Sequence, residues 1–230
     1  MNGARRYGFH WASVKGTEQN ENRDAGGLYA SDAYTFAIIM DASGKGNDAS
    51  LFNAIWLDAL LKQLPEHPPS ADRVIGMMQE ARQPLRQAKL FQERACFAAL
   101  LIPHDDHPCT AFVCGDCRVG SQEKGQQEQW QTPVHTLEAA LAQAGRSPDR
   151  HLVTRVLKAC RLATPEVMEL SQTGGQAWVL STDGYWDLRR TREKRPADDC
   201  SYLRLSPGGP SQQHGDNFRR AGLYAQWSSD

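Results

Sequence analysis

The most constraining feature of this sequence is a series of short apolar runs, each of strand length and each beginning or ending near an aspartate. Residues 34–41, Tyr-Thr-Phe-Ala-Ile-Ile-Met-Asp, are typical of a buried strand that ends in a carboxylate. A comparable position beside a strand is shared by four further aspartates, which are Asp24, Asp116, Asp183 and Asp198. Any one of them could simply cap a turn. Taken together, they predict strand ends that bring distant carboxylates to a shared edge of a sheet.

Helical spacing of apolar residues surrounds these strands. It predicts a helix over 49–64, ended by Pro68-Pro69, and a second helix over 71–90, so that two adjacent helices flank a sheet. The remaining patterns predict strands at 96–102, 110–114, 176–182 and 200–205, a turn at 104–108, a polar exposed loop at 121–131 and helices at 136–144 and 152–161. The tail from Ser206, which contains Pro207-Gly-Gly-Pro210, is predicted to be loosely ordered before a short apolar end.

Length and charge narrow the class of protein. A chain of 230 residues is long enough for one large domain. Its net charge of -1 lacks the basic field of a nucleic-acid-binding protein. No apolar run approaches the roughly 20 residues that span a bilayer, and the N-terminus lacks the apolar region of a signal peptide. We therefore expect a cytoplasmic protein without a nucleic-acid or membrane partner.

Two motifs resemble metal or redox sites. Cys114 and Cys117 have the spacing of a redox pair or half a zinc site, but no second pair lies at zinc-finger spacing. We interpret these residues as reduced cysteines at a strand end. The run His104-Asp-Asp-His-Pro108 lies between two predicted strands, where such residues normally form the turn.

The carboxylates predict the kind of chemistry. Hard divalent cations such as Mg²⁺ and Mn²⁺ prefer oxygen ligands. Two such ions, ~3.5–4 Å apart, can hold a phosphoryl oxygen and lower the pKa of a water molecule between them. The set of aspartates therefore favours hydrolysis of a phosphomonoester.

Six segments in order resemble the motifs of metal-dependent type-2C Ser/Thr protein phosphatases, in a compact bacterial style. The segments are Lys15–Ala25 with Asn-Arg-Asp-Ala, Phe36–Asp41 with its glycine-containing loop, Phe112–Val119 with Gly-Asp-Cys-Arg, Leu152–Leu157, Trp178–Asp187 with Ser-Thr-Asp-Gly-Tyr-Trp-Asp, and Asp198–Leu203. The resemblance implies an α+β fold, a four-layer αββα sandwich of two β-sheets flanked by helices. It also implies a phosphatase domain over residues 1–206, with 207–230 as a tail packed on or trailing from that domain.

The resemblance further implies a role for each matched residue. Asp41 would bridge two ions, with the Ala42 carbonyl as a further ligand. Asp183 and Asp198 would complete the ligands of the first ion, and Asp116 with Asp183 would hold a third ion where one is present. Asp24 would orient the attacking water. The cofactor would be Mg²⁺ or Mn²⁺, and the substrate a protein that carries phosphoserine or phosphothreonine. The enzyme would oppose a Ser/Thr kinase.

Departures from the family pattern keep alternatives open. Arg23 stands where the family has an acid, and Gln19 stands where it has a phosphate-binding arginine, so Arg23 or Lys15 is the candidate to bind the substrate phosphate. The last ligand is Asp198 or, alternatively, Asp216, because Asp216-Asn217 also spells the closing motif. The second functional hypothesis is a catalytically weak relative that regulates by binding a phosphoprotein or partner.

Overall fold

The structure is a computed structural model, and it describes residues 7–141, 152–173, 175–191 and 196–226. Within these residues the chain forms thirteen strands and five α-helices. The strands are β1 (Tyr7–Val14), β2 (Asp24–Ala30), β3 (Tyr34–Gly44), β4 (Glu93–Pro103), β5 (Cys109–Cys114), β6 (Arg118–Gln122), β7 (Gln129–Trp130), β8 (Leu157–Lys158), β9 (Glu166–Leu170), β10 (Ala177–Ser181), β11 (Cys200–Pro207), β12 (Gln212–His214) and β13 (Phe218–Gly222). The helices are α1 (Ala49–Leu61), α2 (Ala71–Glu80), α3 (Arg82–Gln87), α4 (Leu137–Leu141) and α5 (Asp183–Thr191).

The strands form two sheets that pack face to face. In the first sheet the order is β12-β1-β11-β10-β6-β7, and in the second it is β13-β2-β3-β4-β5-β9, with β8 paired to the edge of β4. Most neighbours are antiparallel, whereas β12 with β1 and β13 with β2 are parallel. Both sheets are therefore mixed, and the last part of the described chain adds one strand to each.

Two hydrophobic cores hold the layers together. One lies between the sheets and includes Trp11, Leu28, Ile39 and Trp178, all almost completely buried. The other lies between the second sheet and helices α1 to α3, and it includes Phe36, Phe52, Trp56 and Leu85. Because residues alternate between the two faces of a strand, β3 sends Ile39 to the first core and Ile38 to the second.

Helices lie on both outer sides of the sheet pair. Helix α1 contacts β2, β3 and β13, and α5 contacts β11 on the other sheet, where Tyr185 packs against Tyr202 with ring centroids 4.8 Å apart. The predicted α+β sandwich of two sheets flanked by helices is therefore confirmed. Within the described residues, every helix is too short or too polar to cross a membrane.

Three local predictions differ from the structure. The helix predicted at 152–161 is wrong, because this segment contains β8, in which Leu157 is fully buried and pairs with Ala95 of β4. The predicted polar loop at 121–131 includes the end of β6 and all of β7, which form a hairpin. The tail predicted to be loosely ordered contains β12 and β13, whose backbone groups are used by the two sheets. Residues 142–151, where part of a helix was predicted, lie outside the described residues.

Candidate active site

Asp24 and Asp41 lie directly opposite each other on β2 and β3. Directly opposite residues of an antiparallel pair project to the same face. Alternation along each strand places this pair on the face of Leu28 and Ile39, which is the face between the two sheets. Asp24 is almost completely buried, whereas Asp41 is partly accessible to solvent. The sequence therefore folds so that two carboxylates enter the edge of the intersheet layer together.

Asp116 follows β5 in the turn that leads to β6. Gly115 before it has φ of +98°, a left-handed conformation that glycine tolerates best. A Cβ at Gly115 would lie 2.2 Å from the Sγ of Cys96. Because Cys96 lies opposite Asp41 in the register of β3 and β4, the turn packs directly beside the Asp41 pair.

Asp183 comes from the first sheet, at the point where β10 ends and α5 begins. The preceding residue joins the two sheets, because the Thr182 hydroxyl donates to Asp24 Oδ2 at 2.9 Å. Helix α5 is tied to the Asp116 turn by Trp186, whose Nε1–H donates to the Asp116 carbonyl at 2.9 Å. These two bonds place Asp183 beside the carboxylates of the second sheet.

Asp198 and Asp199 precede β11 and contact the segment between β1 and β2. Asp198 is exposed, and its Oδ1 accepts from Gln19 Nε2 at 2.7 Å. Asp199 is buried and accepts from the backbone N–H of Gly16 at 2.8 Å and of Arg23 at 2.6 Å. Asp198 is thus free to face solvent near the cluster, while Asp199 holds the loop that precedes Asp24.

These carboxylates lie near enough for their charges to act on one another. Burial raises the pKa of Asp41 well above its ordinary value, and the charges of Asp183, Asp24, Asp116 and Asp198 raise it further. Burial, followed by the charges of Asp116 and Asp198, raises the pKa of Asp183 to about 7. The pKa of Asp24 is also raised, by burial first and by the charges of Asp199 and Asp183 in addition. Distant acids therefore meet at one edge of the sheet pair.

Three other predicted site residues, Asp216, Lys15 and Arg23, make different contacts from those of the clustered aspartates. Asp216 is exposed in the turn before β13, and β13 lies on the side of β2 opposite β3. Lys15 is exposed and donates from Nζ to the Gln19 carbonyl at 2.5 Å. Arg23 is partly buried, and its charge lowers the pKa of Asp199, against the larger effect of burial on that group. The charge of Asp198 acts on Asp41 and Asp183, whereas Asp216 lines a pocket on the side of Asp24.

Some residues around the site were not predicted from the sequence. Thr182, Asp199 and His135 all make hydrogen bonds that position the acidic segments. Only Asp199 had a visible signal, its place beside Asp198 before a strand. The others depend on contacts between segments far apart in the chain.

The donor chemistry of the cluster fits a hard divalent cation. All of the side-chain atoms that could bind a metal there are carboxylate oxygens. Asp24 Oδ1 is buried without a hydrogen-bond partner among the described residues. A cation there would offset the burial of these carboxylates and their mutual repulsion, which together raise their pKa values. Among the described residues, no group of three or more His, Cys, Asp or Glu side chains is already arranged at metal-binding distances. The case for a divalent cation therefore rests on the type of these residues and on their nearness to one another.

Comparison with solved structures shows the fold class independently. The chain has a TM-score of 0.72 to the serine/threonine phosphatase Stp1 from Staphylococcus aureus, with 14% identity over 91% of this chain and 98% of that one. The S. agalactiae serine/threonine phosphatase gives 0.71, with 14% identity over 87% and 99%. The catalytic domain of the phosphatase PstP, in complex with two manganese ions, gives 0.65, with 17% identity over 87% and 97%.

These neighbours confirm the resemblance to type-2C phosphatases at the level of the fold. No family model and no curated protein sequence matches the chain. At these identities the likeness establishes the architecture, and the activity must be argued from the site.

Proposed function

We propose that the protein is a metal-dependent phosphatase that hydrolyses phosphoserine or phosphothreonine on proteins. The observation that carries the proposal is the cluster of Asp24, Asp41, Asp116, Asp183 and Asp198, whose charges act on one another at one edge of the sheet pair. The fold is shared with bacterial Ser/Thr phosphatases, one of them in complex with two manganese ions, which supports the same chemistry. We further propose that it acts in the cytoplasm and opposes a Ser/Thr kinase.

The carboxylates would divide the work of holding Mg²⁺ or Mn²⁺. Asp41, the Ala42 carbonyl, Asp183 and Asp198 would hold two ions, and Asp116 with Asp183 would hold a third. When bound there, the ions would lower the pKa of a water molecule and neutralise charge on the phosphoryl oxygens. The reaction consumes one water and releases inorganic phosphate and the free Ser or Thr hydroxyl.

The chain's own residues would position the reactants. Asp24 Oδ2 is occupied by the Thr182 hydroxyl, so that Oδ1 remains to accept a hydrogen bond from the attacking water. Arg23 and Lys15 are the cations proposed to bind the substrate phosphate. A cleft of about 460 Å³ beside Asp116, Asp183 and Trp186 offers room for the part of the substrate next to the phosphorylated residue.

A second candidate function is partner binding with little catalysis. It is favoured by the loop between β1 and β2, where Gln19 occupies an oxygen of Asp198 and Lys15 is bound to the Gln19 carbonyl. The Gln19 contact leaves only Oδ2 of Asp198 without a hydrogen bond among the described residues, and the Lys15 contact must be exchanged before Lys15 can reach a phosphate. A chain that keeps these contacts would rely on Arg23 to bind a phosphoprotein and would turn it over slowly.

The two functions are separated by p-nitrophenyl phosphate hydrolysis with and without Mn²⁺. We expect Mn²⁺-dependent turnover in the wild type and a loss of about 100-fold or more in Asp183→Asn. Asp183 would hold the cation that stabilises negative charge in the transition state, and such stabilisation is typically worth that much. Asp105→Asn, the same change in the exposed turn between β4 and β5, should leave the rate unchanged. Folded wild-type protein without Mn²⁺-dependent turnover would favour the partner-binding function.

A further inference from the structure

Both backbone groups of Gly115 are bound by one residue, His135. The backbone N–H of His135 donates to the Gly115 carbonyl at 2.8 Å, and the backbone N–H of Gly115 donates to the ring nitrogen Nδ1 of His135 at 3.2 Å. His135 is buried, at 9% exposure, and it comes from the segment after β7, outside the strands that carry the aspartates. The turn that presents Asp116 is therefore held by both the backbone and the side chain of a residue from elsewhere in the chain.

The hydrogen bonds also fix the tautomer of His135. Because Nδ1 accepts from Gly115, the proton lies on Nε2, which donates to Glu166 Oε2 at 2.9 Å. Glu166 lies on β9 opposite Val113 of β5, and Arg155 lies 3.8 Å from the same carboxylate oxygen. The ring is thus held by a residue anchored in the sheet that also carries Asp41.

Small movements of this turn would reach the acidic cluster. Gly115 packs against Cys96 so closely that a Cβ would meet Sγ at 2.2 Å, and Cys96 lies opposite Asp41. On the other side, the Asp116 carbonyl accepts from Trp186 of α5, the helix that begins at Asp183. The turn therefore sets the position of Asp116 relative to both Asp41 and Asp183.

We propose that His135, held by Glu166, is a positioning residue for Asp116: by clamping the Gly115 backbone it fixes the Asp116 carboxylate against Asp41 and Asp183. The proposal rests on the proposed function, in which Asp116 helps to hold a divalent cation. Residues that orient a metal ligand without touching the metal typically affect metal affinity by about 10–100-fold. His135 should act in the same way through the backbone.

The test compares His135→Ala with His135→Asn in the full chain. In His135→Asn the Oδ1 is as many bonds from Cα as Nδ1 of histidine, so it can still accept from Gly115, whereas alanine leaves that buried N–H unpaired. Glu166→Gln is the matched control, because its amide oxygen can still accept from Nε2–H. Amide hydrogen exchange over residues 110–118 reports on the turn, and the Mn²⁺ concentration for half-maximal p-nitrophenyl phosphate hydrolysis reports on the site.

We expect His135→Ala to accelerate exchange at the turn and to raise the half-maximal Mn²⁺ concentration by about 10-fold or more. His135→Asn should restore most of both properties, and Glu166→Gln should resemble the wild type. Wild-type exchange in His135→Ala, or faster exchange with an unchanged Mn²⁺ requirement, would overturn the proposal, as would equal defects in the alanine and asparagine variants.

Failure of the proposed function is separately visible. Wild-type protein without Mn²⁺-dependent turnover would contradict that function. His135 would then be judged by exchange at the turn and by the Mn²⁺-induced shift of the thermal midpoint in the two variants. An equal midpoint shift in the wild type and His135→Ala would overturn the positioning role.

Discussion

At the scale of single residues, Gly184 and Gly76 both lie in helices but have opposite surroundings. A Cβ at Gly184 would lie 1.9 Å from the Asp199 carbonyl oxygen, whereas a Cβ at Gly76 would meet nothing within 4 Å. Gly184→Ala should therefore push α5 away from Asp199 and destabilise the fold by about 1–3 kcal/mol. Gly76→Ala should instead stabilise it by about 0.5–1 kcal/mol, because alanine favours the helix. Denaturant unfolding of both variants checks the prediction, and equal effects of the two changes would contradict it.

The charge of Asp41 should destabilise the metal-free protein although it is needed to bind a cation. Its pKa is raised by burial and by four neighbouring carboxylates, so its charged form is disfavoured in the metal-free protein. Asp41→Asn removes this charge and should raise the metal-free thermal midpoint at pH 8 by a few degrees, since 1 kcal/mol corresponds to about 2–4 °C in a domain of this size. The same variant should lose the stabilisation that Mn²⁺ gives the wild type.

Thermal unfolding with EDTA and with Mn²⁺ tests the Asp41 prediction. Asp105→Asn serves as the control for the loss of one aspartate charge, because Asp105 is exposed in the turn between β4 and β5. A lower metal-free midpoint in Asp41→Asn would show that the carboxylate makes stabilising contacts rather than repulsive ones.

The aspartates of the cluster could be predicted from sequence because each stands beside a strand pattern. Thr182 and His135 could not, because their roles are hydrogen bonds to Asp24 and Gly115, which are 158 and 20 residues away in sequence. A serine or threonine at a strand end and a histidine in a loop have many ordinary roles. Only the folded geometry selects the one that each plays here.

At the scale of elements, the loop between β1 and β2 depends on one buried carboxylate. Asp199 accepts from the Gly16 N–H with Oδ1 and from the Arg23 N–H with Oδ2. In Asp199→Asn one oxygen is replaced by an amide that can only donate, so one N–H loses its acceptor. The expected loss of stability is about 1–3 kcal/mol, measured by denaturant unfolding.

The neighbouring residue supplies the control for Asp199. Asp198 is exposed, and its Oδ1 accepts from Gln19 and from the Asp199 N–H, which the amide oxygen of asparagine can also do. Asp198→Asn should therefore leave stability within about 0.5 kcal/mol of the wild type. Under the proposed function it should weaken Mn²⁺-dependent turnover. Equal destabilisation by the two changes would contradict the division of roles between Asp198 and Asp199.

Element prediction succeeded where periodicity and length agreed, as for α1 and β3. It failed for residues 152–161, whose apolar spacing fits a helix although Leu157 is buried by pairing with β4. A two-residue strand has no periodicity of its own. Its conformation is decided by the open edge of β4 that the rest of the fold provides.

At the scale of the whole molecule, the order of motifs was enough to predict two sheets flanked by helices. The placement of β12 and β13 was not predictable, since these short polar segments pair in parallel with β1 and β2, which are about 200 residues earlier in the chain. Convergence of the aspartates depends on the same long-range assembly. The cluster forms only when the two sheets have packed together and the Thr182 hydroxyl donates its hydrogen bond to Asp24.

The assembled cluster should make the metal-free protein less stable as the pH rises. The pKa of Asp183 is about 7 in the folded protein against an ordinary value of 3.8, and the pKa values of Asp24 and Asp41 are raised as well. For Asp183, between pH 3.8 and about pH 7, the native state holds a proton that the unfolded chain has released. Stability from these groups is therefore fully present below about pH 4 and is lost as the pH rises through about 7.

Mn²⁺ should reverse this trend. A cation binds the ionised carboxylates, so its stabilising effect should grow as protons leave the cluster between pH 6 and pH 8. We expect the thermal midpoint with EDTA to fall over this range, and the difference between Mn²⁺ and EDTA to widen. Asp183→Asn should flatten both curves, because it removes the group that titrates near neutrality. A metal-free midpoint that rises from pH 6 to pH 8 in the wild type would mean that burial and mutual repulsion do not raise the pKa values of these carboxylates, and the cluster would then lack the electrostatic reason to bind a cation.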